Sequence, residues 1–260
     1  MPDVEPAGVD DALARSVIYR TLSVGFQMPT DERLHQIGAR DGFPILAAAL
    51  DHLDGRTARP RMDAAAARLR AMTVPGVDAL ADSFVRLFGH TTRGLICACE
   101  TEYGPDAGFH QPQQLADIAG YYLAFGLRPV VASDTRLDHI ACECEFMDFL
   151  NRKQAVLLAD ESRSADGQDT LEVTEHAERT FLREHLGRFG RALAARVLSE
   201  DAHGYLGALG RVLLTLIEAE CARVGVGPGP IELVVRPDAA DETPMLCGTH
   251  DELIQIQRPR

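Results

Sequence analysis

No stretch of the sequence approaches the roughly 20 consecutive apolar residues that a membrane-spanning helix requires, and no stable membrane association is expected. The first residues, Met1-Pro2-Asp3-Val4-Glu5, carry neither a basic n-region nor an apolar h-region, so no secretory signal is visible and a cytoplasmic location is expected. A basic excess is missing too. The formal net charge is -13, which argues against a general nucleic-acid binder, because such proteins use basic patches to displace phosphate counterions. Strand signals are nearly absent before residue 225. The glycine-rich segment Gly225–Pro230 lacks the following Lys-Ser/Thr and helix of a phosphate-binding loop. There is no nucleophile elbow and no catalytic triad. Asp138-His139 lacks the further His and Asp ligands that a metal-dependent phosphohydrolase would need.

What the chain does contain is helix. Its 260 residues are enough for one sizeable core, and 46% hydrophobic with 25% charged residues is ordinary for a globular protein. Ala14, Ile18, Leu22 and Phe26 recur at i, i+4 and share one face of a first helix that stops before Pro29. Thr30 is placed to cap a short helix with Asp31 and Glu32 in its first turn, and Gly38 to stop it. An alanine-rich helix is expected over Arg61–Met72, ended by Pro75-Gly76. Val77, Leu80, Ala81, Phe84, Leu87 and Phe88 form the clearest apolar stripe, closed by Gly89.

Thr91–Gln111 loses the helical period and is expected to be a long loop, of the kind that often carries function. Pro112 then suits the first position of a helix ending near Gly126, and Asp134 suits the cap of another running to about Asp160. Ser162–Thr170 is polar and aperiodic, and is expected to be a loop. Helix resumes near Val173, breaks at Gly187 and continues to Leu198, and a last helix carries Leu206, Leu209, Leu213, Leu216 and Ile217. The tail beyond residue 230 has one β-like run, Ile231–Val235. The expected fold is all-α: a compact bundle of about ten helices over residues 1–228, with a short extended tail over 229–260.

Four segments, in order, carry a resemblance. They are Arg15–Ser23 with Phe26 and Pro29, and Phe84–Gly89. The third is Glu100-Thr101-Glu102-Tyr103 leading to Leu115–Leu127, and the fourth is Asp138-His139-Ile140 with Glu143 and Phe146-Met147. Together, over roughly residues 12–222, the chain resembles the TorD/DmsD/NarJ family of molybdoenzyme maturation chaperones. That resemblance implies an all-helical protein, monomeric or homodimeric, without a cofactor and without catalytic activity. It implies binding of the twin-arginine leader or another N-terminal segment of a molybdopterin-containing catalytic subunit, held until cofactor insertion is complete. Clients in the family include reductases for nitrate, dimethyl sulfoxide and trimethylamine N-oxide, and related dehydrogenases. The chain departs from the family pattern at Leu137, where a proline usually precedes Asp-His, and at Phe189, where a tryptophan often follows His185-Leu186.

The candidate client-binding residues are Asp138, His139, Glu102, Tyr103, Glu100, Leu87, Phe88 and Glu143. For Asp138-His139 two readings stand. One is a helix first turn with a structural histidine; the other is a groove in which the carboxylate meets a client guanidinium in a bidentate pair. Glu100 and Glu102, two residues apart, would point the same way on extended backbone and could meet a basic peptide; otherwise they decorate a solvated loop. Leu87 and Phe88 belong either to the core or to an apolar trough. A rival function from another class is a thiol-based metal or redox sensor using Cys97-x-Cys99 and Cys142-x-Cys144. Against it, Cys142 and Cys144 fall on a predicted helix, where two positions turn by about 200°. Buried reduced thiols, and no bound metal, are therefore expected.

Overall fold

The computed structural model describes residues 8–55, 62–89, 94–104, 110–128, 135–160 and 164–236. Among them are ten α-helices and two short 3-10 helices, with no strand longer than an isolated bridge. The all-α fold is as expected. None of these helices is long and apolar enough to cross a membrane.

Two helices are buried on nearly every side and form the centre. Helix α1 (Val9–Gly25) buries Ile18, Tyr19 and Leu22, but also Asp11, Arg15, Ser16, Thr21 and Ser23. Helix α7 (Ile140–Ala159) buries Glu143, Asp148, Asn151 and Gln154 beside its apolar residues. The two lie against each other, and the Ser16 hydroxyl donates to Asp148 Oδ1 at 2.6 Å. Buried polar groups require partners; other polar residues of the pair find theirs on surrounding helices, Arg15 on Glu220 and Asn151 and Gln154 on Glu178. Around this pair stand α2 (Asp31–Gln36), α3 (Pro44–Asp54), α4 (Met62–Arg70) and α5 (Val77–Phe88). The remaining helices are α6 (His110–Ala124), α8 (Ala165–Glu184), α9 (Leu186–Glu200) and α10 (Tyr205–Val224). Helices α9 and α10 approach closely because small residues meet branched ones: a Cβ on Gly190 would lie 2.4 Å from Ile217 Cδ1.

The capping predictions at Thr30, Gly89 and Gly126 hold: the Thr30 hydroxyl accepts from the Arg33 N–H, and both glycines take positive φ. Several boundaries differ. Helix α7 opens at Ile140 behind a His139 cap, not at Asp134, which lies outside the described residues. Helix α3, in a stretch the periodicity left unassigned, opens with Pro44 in its first turn behind Phe43, whose φ is 54°. Helix α6 begins at His110, so Pro112 is its third residue, still within the first turn where a missing N–H costs nothing. Helix α8 begins at Ala165, inside the expected polar loop. Its first turns are polar because they face solvent, and Ser164 caps them by accepting from the Gly167 N–H at 3.3 Å. The break before α9 falls at His185 rather than Gly187.

The described part of the tail lies against the 94–104 loop. The Gly104 N–H donates to Val234 O (2.9 Å) and the Arg236 N–H to Glu102 O (2.8 Å), so Tyr103 and Val235 form an antiparallel bridge. The Arg196 guanidinium adds a bond to Leu233 O (3.2 Å). Residues 237–260, with Cys247, lie outside the described residues. Deleting 231–260 should leave far-UV helix content intact, since no helix includes the described part of the tail, residues 231–236. Hydrogen exchange at the Gly104 amide should rise at least about tenfold, the loss of one net hydrogen bond. Collapse of helix content would show that the tail belongs to the core.

Candidate functional site

The site is built where the 94–104 loop crosses the start of α7. Backbone bonds fix that crossing: Glu100 N–H to Asp138 O and Ile140 N–H to Ala98 O, each 2.8 Å, with Cys99 opposite His139. A further bond, Ile96 N–H to Leu87 O at 2.8 Å, ties the loop to α5. The short 3-10 helix Glu100–Glu102 then turns Glu100, Thr101 and Glu102 inward, and all three are buried.

Asp138 is fully buried and precedes the helix rather than sitting in its first turn; the cap is His139. The carboxylate accepts from the Thr101 N–H (3.1 Å) and the Thr101 hydroxyl (2.8 Å). It also accepts a bidentate pair from Arg136, Nε to Oδ1 at 2.9 Å and Nη2 to Oδ2 at 2.8 Å. The same guanidinium reaches Glu102 Oε1 through Nη1 at 2.6 Å. Gln111, on α6, donates to both Glu102 Oε1 and Thr101 Oγ1 at 3.1 Å. Burial works against the Arg136 charge, but Asp138 and Glu102 outweigh it and hold its pKa above the ordinary arginine value. The site is therefore already shaped around one guanidinium, and that guanidinium is a quarter exposed.

His139 accepts from the Ala141 N–H through Nδ1 at 3.1 Å, so its proton resides on Nε2. Burial pushes its pKa down to about 4, against the pull of Asp138, and it is neutral near pH 7. Tyr103 is fully buried, donates to Cys97 O at 2.7 Å and packs on Phe189 with 5.6 Å between ring centroids. Phe189, at the family's tryptophan position, thus keeps an aromatic floor beneath the loop. Leu87 and Phe88 are core residues, with Phe88 set against Phe26 and Phe84.

Six candidates therefore converge on the loop crossing: Glu100, Glu102, Tyr103, Asp138, His139 and Glu143. Leu87 and Phe88 support it from the core. Arg136, Thr101, Gln111 and His185 were not among the candidates. Thr101 and Arg136 stand in the sequence beside candidates, but their bonding depends on the loop crossing, which no local pattern encodes.

Among the described residues the two Cys-x-Cys pairs do not come together in one cluster, although Cys97 and Cys99 interact with each other, which lowers the Cys97 thiol. Cys144 is fully buried and Cys142 only partly. Burial raises the Cys142 thiol to about 12 and the Cys144 thiol well above its ordinary value. Among the described residues, the one place where three or more His, Cys, Asp or Glu ligand atoms converge contains no cysteine.

A family model described as the nitrate reductase delta subunit matches residues 56–195. The chain belongs to this family. The match covers more than half of the chain and spans the whole of the site, from Leu87 to Glu143 and on to His185. Delta-subunit proteins are molybdoenzyme assembly chaperones of the TorD/NarJ type. No curated protein and no solved structure matches the chain.

One group in this delta-subunit chaperone is strained electrostatically. Glu143 is fully buried and neither carboxyl oxygen has a good hydrogen bond. Burial first, then the nearby charges of Glu100 and Asp138, raise its pKa well above 4.5. A raised acid pKa means that the folded protein binds more protons than the unfolded one, so stability falls as pH rises above about 4.5. Glu143→Gln removes the penalty. It should stabilise the protein by at least about 1 kcal/mol at pH 8, where the parent bears the cost of ionising a buried acid or keeping it protonated, and by much less at pH 4.5. Chemical denaturation at the two pH values measures this; a variant less stable at pH 8 than the parent would refute the assignment.

Proposed function

We propose that this delta-subunit chaperone binds the leader or N-terminal segment of a molybdopterin-containing catalytic subunit in the cytoplasm and holds it until the cofactor is inserted, with no catalytic activity of its own. The observation that supports this reading is the Glu102–Arg136–Asp138 cluster. Two buried carboxylates grip a guanidinium bidentately, in the geometry arginine recognition uses. A client arginine would engage Asp138 and Glu102 in exchange for Arg136, which is partly exposed and belongs to the same short segment. Glu100, Glu143 and His139 complete the polar wall, Tyr103 is the floor, and Leu87 and Phe88 hold the loop in place. The acidic chain, at -13, favours a basic partner at longer range.

Release has to follow loading, so an affinity in the micromolar range suffices. Titrating a synthetic N-terminal peptide of a molybdopterin-containing subunit into the purified chain tests the reading. One peptide per chain with micromolar Kd is expected, weakening with salt as the ionic contribution is screened. A complete lack of heat and of any fluorescence-anisotropy change with such peptides would contradict it.

A further inference from the structure

The break between α8 and α9 places His185 in an unusual position. Its backbone, at φ -126° and ψ -97°, turns the ring beneath α6, and the side chain is 3% exposed. Its two nitrogens have different surroundings. Nδ1 lies 3.0 Å from the buried Glu100 Oε2. Nε2 lies 3.2 Å from Oδ2 of Asp117, a residue on the outer side of α6 whose side chain is 60% exposed. Yet Nε2 makes no hydrogen bond. The oxygen is close enough for one but lies off the N–H axis. Glu184, the preceding residue, adds a third group: ligand atoms of Asp117, Glu184 and His185 all lie within 4.8 Å of one another. Tyr121 holds this corner, donating to Glu184 Oε2 at 3.2 Å and packing edge-on against His185. The exposed Arg183 also pairs with Glu184 through Oε1.

A hydrogen bond favours an oxygen in line with N–H. A shared metal ion favours something else. With bonds of about 2.0–2.1 Å and tetrahedral geometry, a second ligand atom lies about 3.3 Å from the nitrogen and well off its lone-pair axis. The Asp117 contact has about that distance and is not aligned as a hydrogen bond. The partner of the other nitrogen fits as well. A metal-bound histidine commonly donates its second N–H to a carboxylate, which fixes the tautomer and turns the free lone pair toward the ion; Glu100 is placed to receive it.

We propose that Asp117, Glu184 and His185 form a binding site for a divalent cation of the zinc class, with Glu100 as the positioning residue behind His185. Two carboxylates and an imidazole satisfy the ligand preference of such an ion, and the exposed side of Asp117 leaves room for water in the remaining position. The ion would join α6 to the α8–α9 junction and, through Glu100, to the loop that carries Glu102 and Thr101. This inference does not depend on the client reading. The competing account is an imidazolium held between Glu100 and Asp117, with no metal affinity.

Chelator-stripped full-length protein titrated calorimetrically with zinc chloride separates the two. One ion per chain is expected. Asp117→Asn and Glu184→Gln should each weaken binding at least about tenfold, and Glu100→Gln by a similar factor through orientation alone. Because His185 is buried and its replacement endangers folding, the two partly or largely exposed carboxylate variants carry the decision, with melting curves confirming their fold. Cobalt provides the spectroscopic check: visible absorption without a thiolate charge-transfer band is expected. Absence of binding, unchanged affinity in both carboxylate variants, or a thiolate band placing the ion on cysteine would each overturn the proposal.

Discussion

Asp138→Asn should weaken binding of a client's N-terminal peptide ten- to a hundredfold. The amide keeps the size of the carboxylate and its place beside Thr101, but it can no longer pair with a guanidinium, and a hydrogen bond to a charged group contributes roughly 1.5–3 kcal/mol. Because Arg136 already occupies Asp138 and Glu102, the exchange account makes a second forecast of opposite sign. Arg136→Gln removes the internal competitor, so peptide affinity should rise while stability falls, since a buried carboxylate loses its main partner. If Asp138 only organises the loop, both substitutions lower stability and affinity together. Calorimetric titration with melting curves decides between the two patterns. Unchanged affinity in folded Asp138→Asn would remove Asp138 from direct contact and pass the test to Glu102, Glu100 and Tyr103.

The largest effect on stability is expected far from that loop, where α1, α7, α8 and α10 meet. Glu220 is buried and accepts from Arg15 Nε at 3.0 Å and from Arg223 at 2.9 and 2.6 Å. Arg223 also reaches Glu178 at 2.7 Å, and Glu178 accepts from Asn151 and Gln154, each at 3.1 Å. Burial alone would raise the Glu220 pKa, but Arg223 and Arg15 outweigh it and the net direction is down. Glu220→Ala leaves Arg15 buried without its carboxylate, which typically costs about 3–5 kcal/mol. At a few degrees per kcal/mol for a chain of this size, the melting temperature should fall by roughly 10 °C. The pH dependence follows from the same depression: the contribution is present above the ordinary carboxylate value of 4.5 and is lost as pH falls below it. A melting temperature within a degree or two of the parent would show that the network is neutral to stability.

The sequence pattern revealed some of this architecture and not the rest, for identifiable reasons. Helix α5 has one wet face and one dry face, so its apolar stripe is visible in the residues alone. Helices α1 and α7 are buried on most sides, and the polar residues they hide are paired only in three dimensions; nothing in the spacing of Ser16 or Arg15 points to Asp148 or Glu220. The start of α8 faces solvent and has no apolar period, although Ser164 was an available cap. At the site, the segments Glu100–Tyr103 and Asp138–Glu143 are legible through the family resemblance. Their meeting at the loop crossing is a tertiary fact. The role of Arg136 follows from that meeting, as does the contact of His185 with Glu100 across 85 residues of chain.

The role proposed for this chain is to serve cofactor loading of a molybdoenzyme. The most direct measurement is the molybdenum content of the molybdopterin-containing subunit whose gene lies nearest its own, purified from cells with and without the chain. Close to one molybdenum per subunit is expected when the chain is present. Far less is expected when it is absent, with recovery on resupply of the parent and poorer recovery with Asp138→Asn. Equal molybdenum loading with and without the chain would contradict the account.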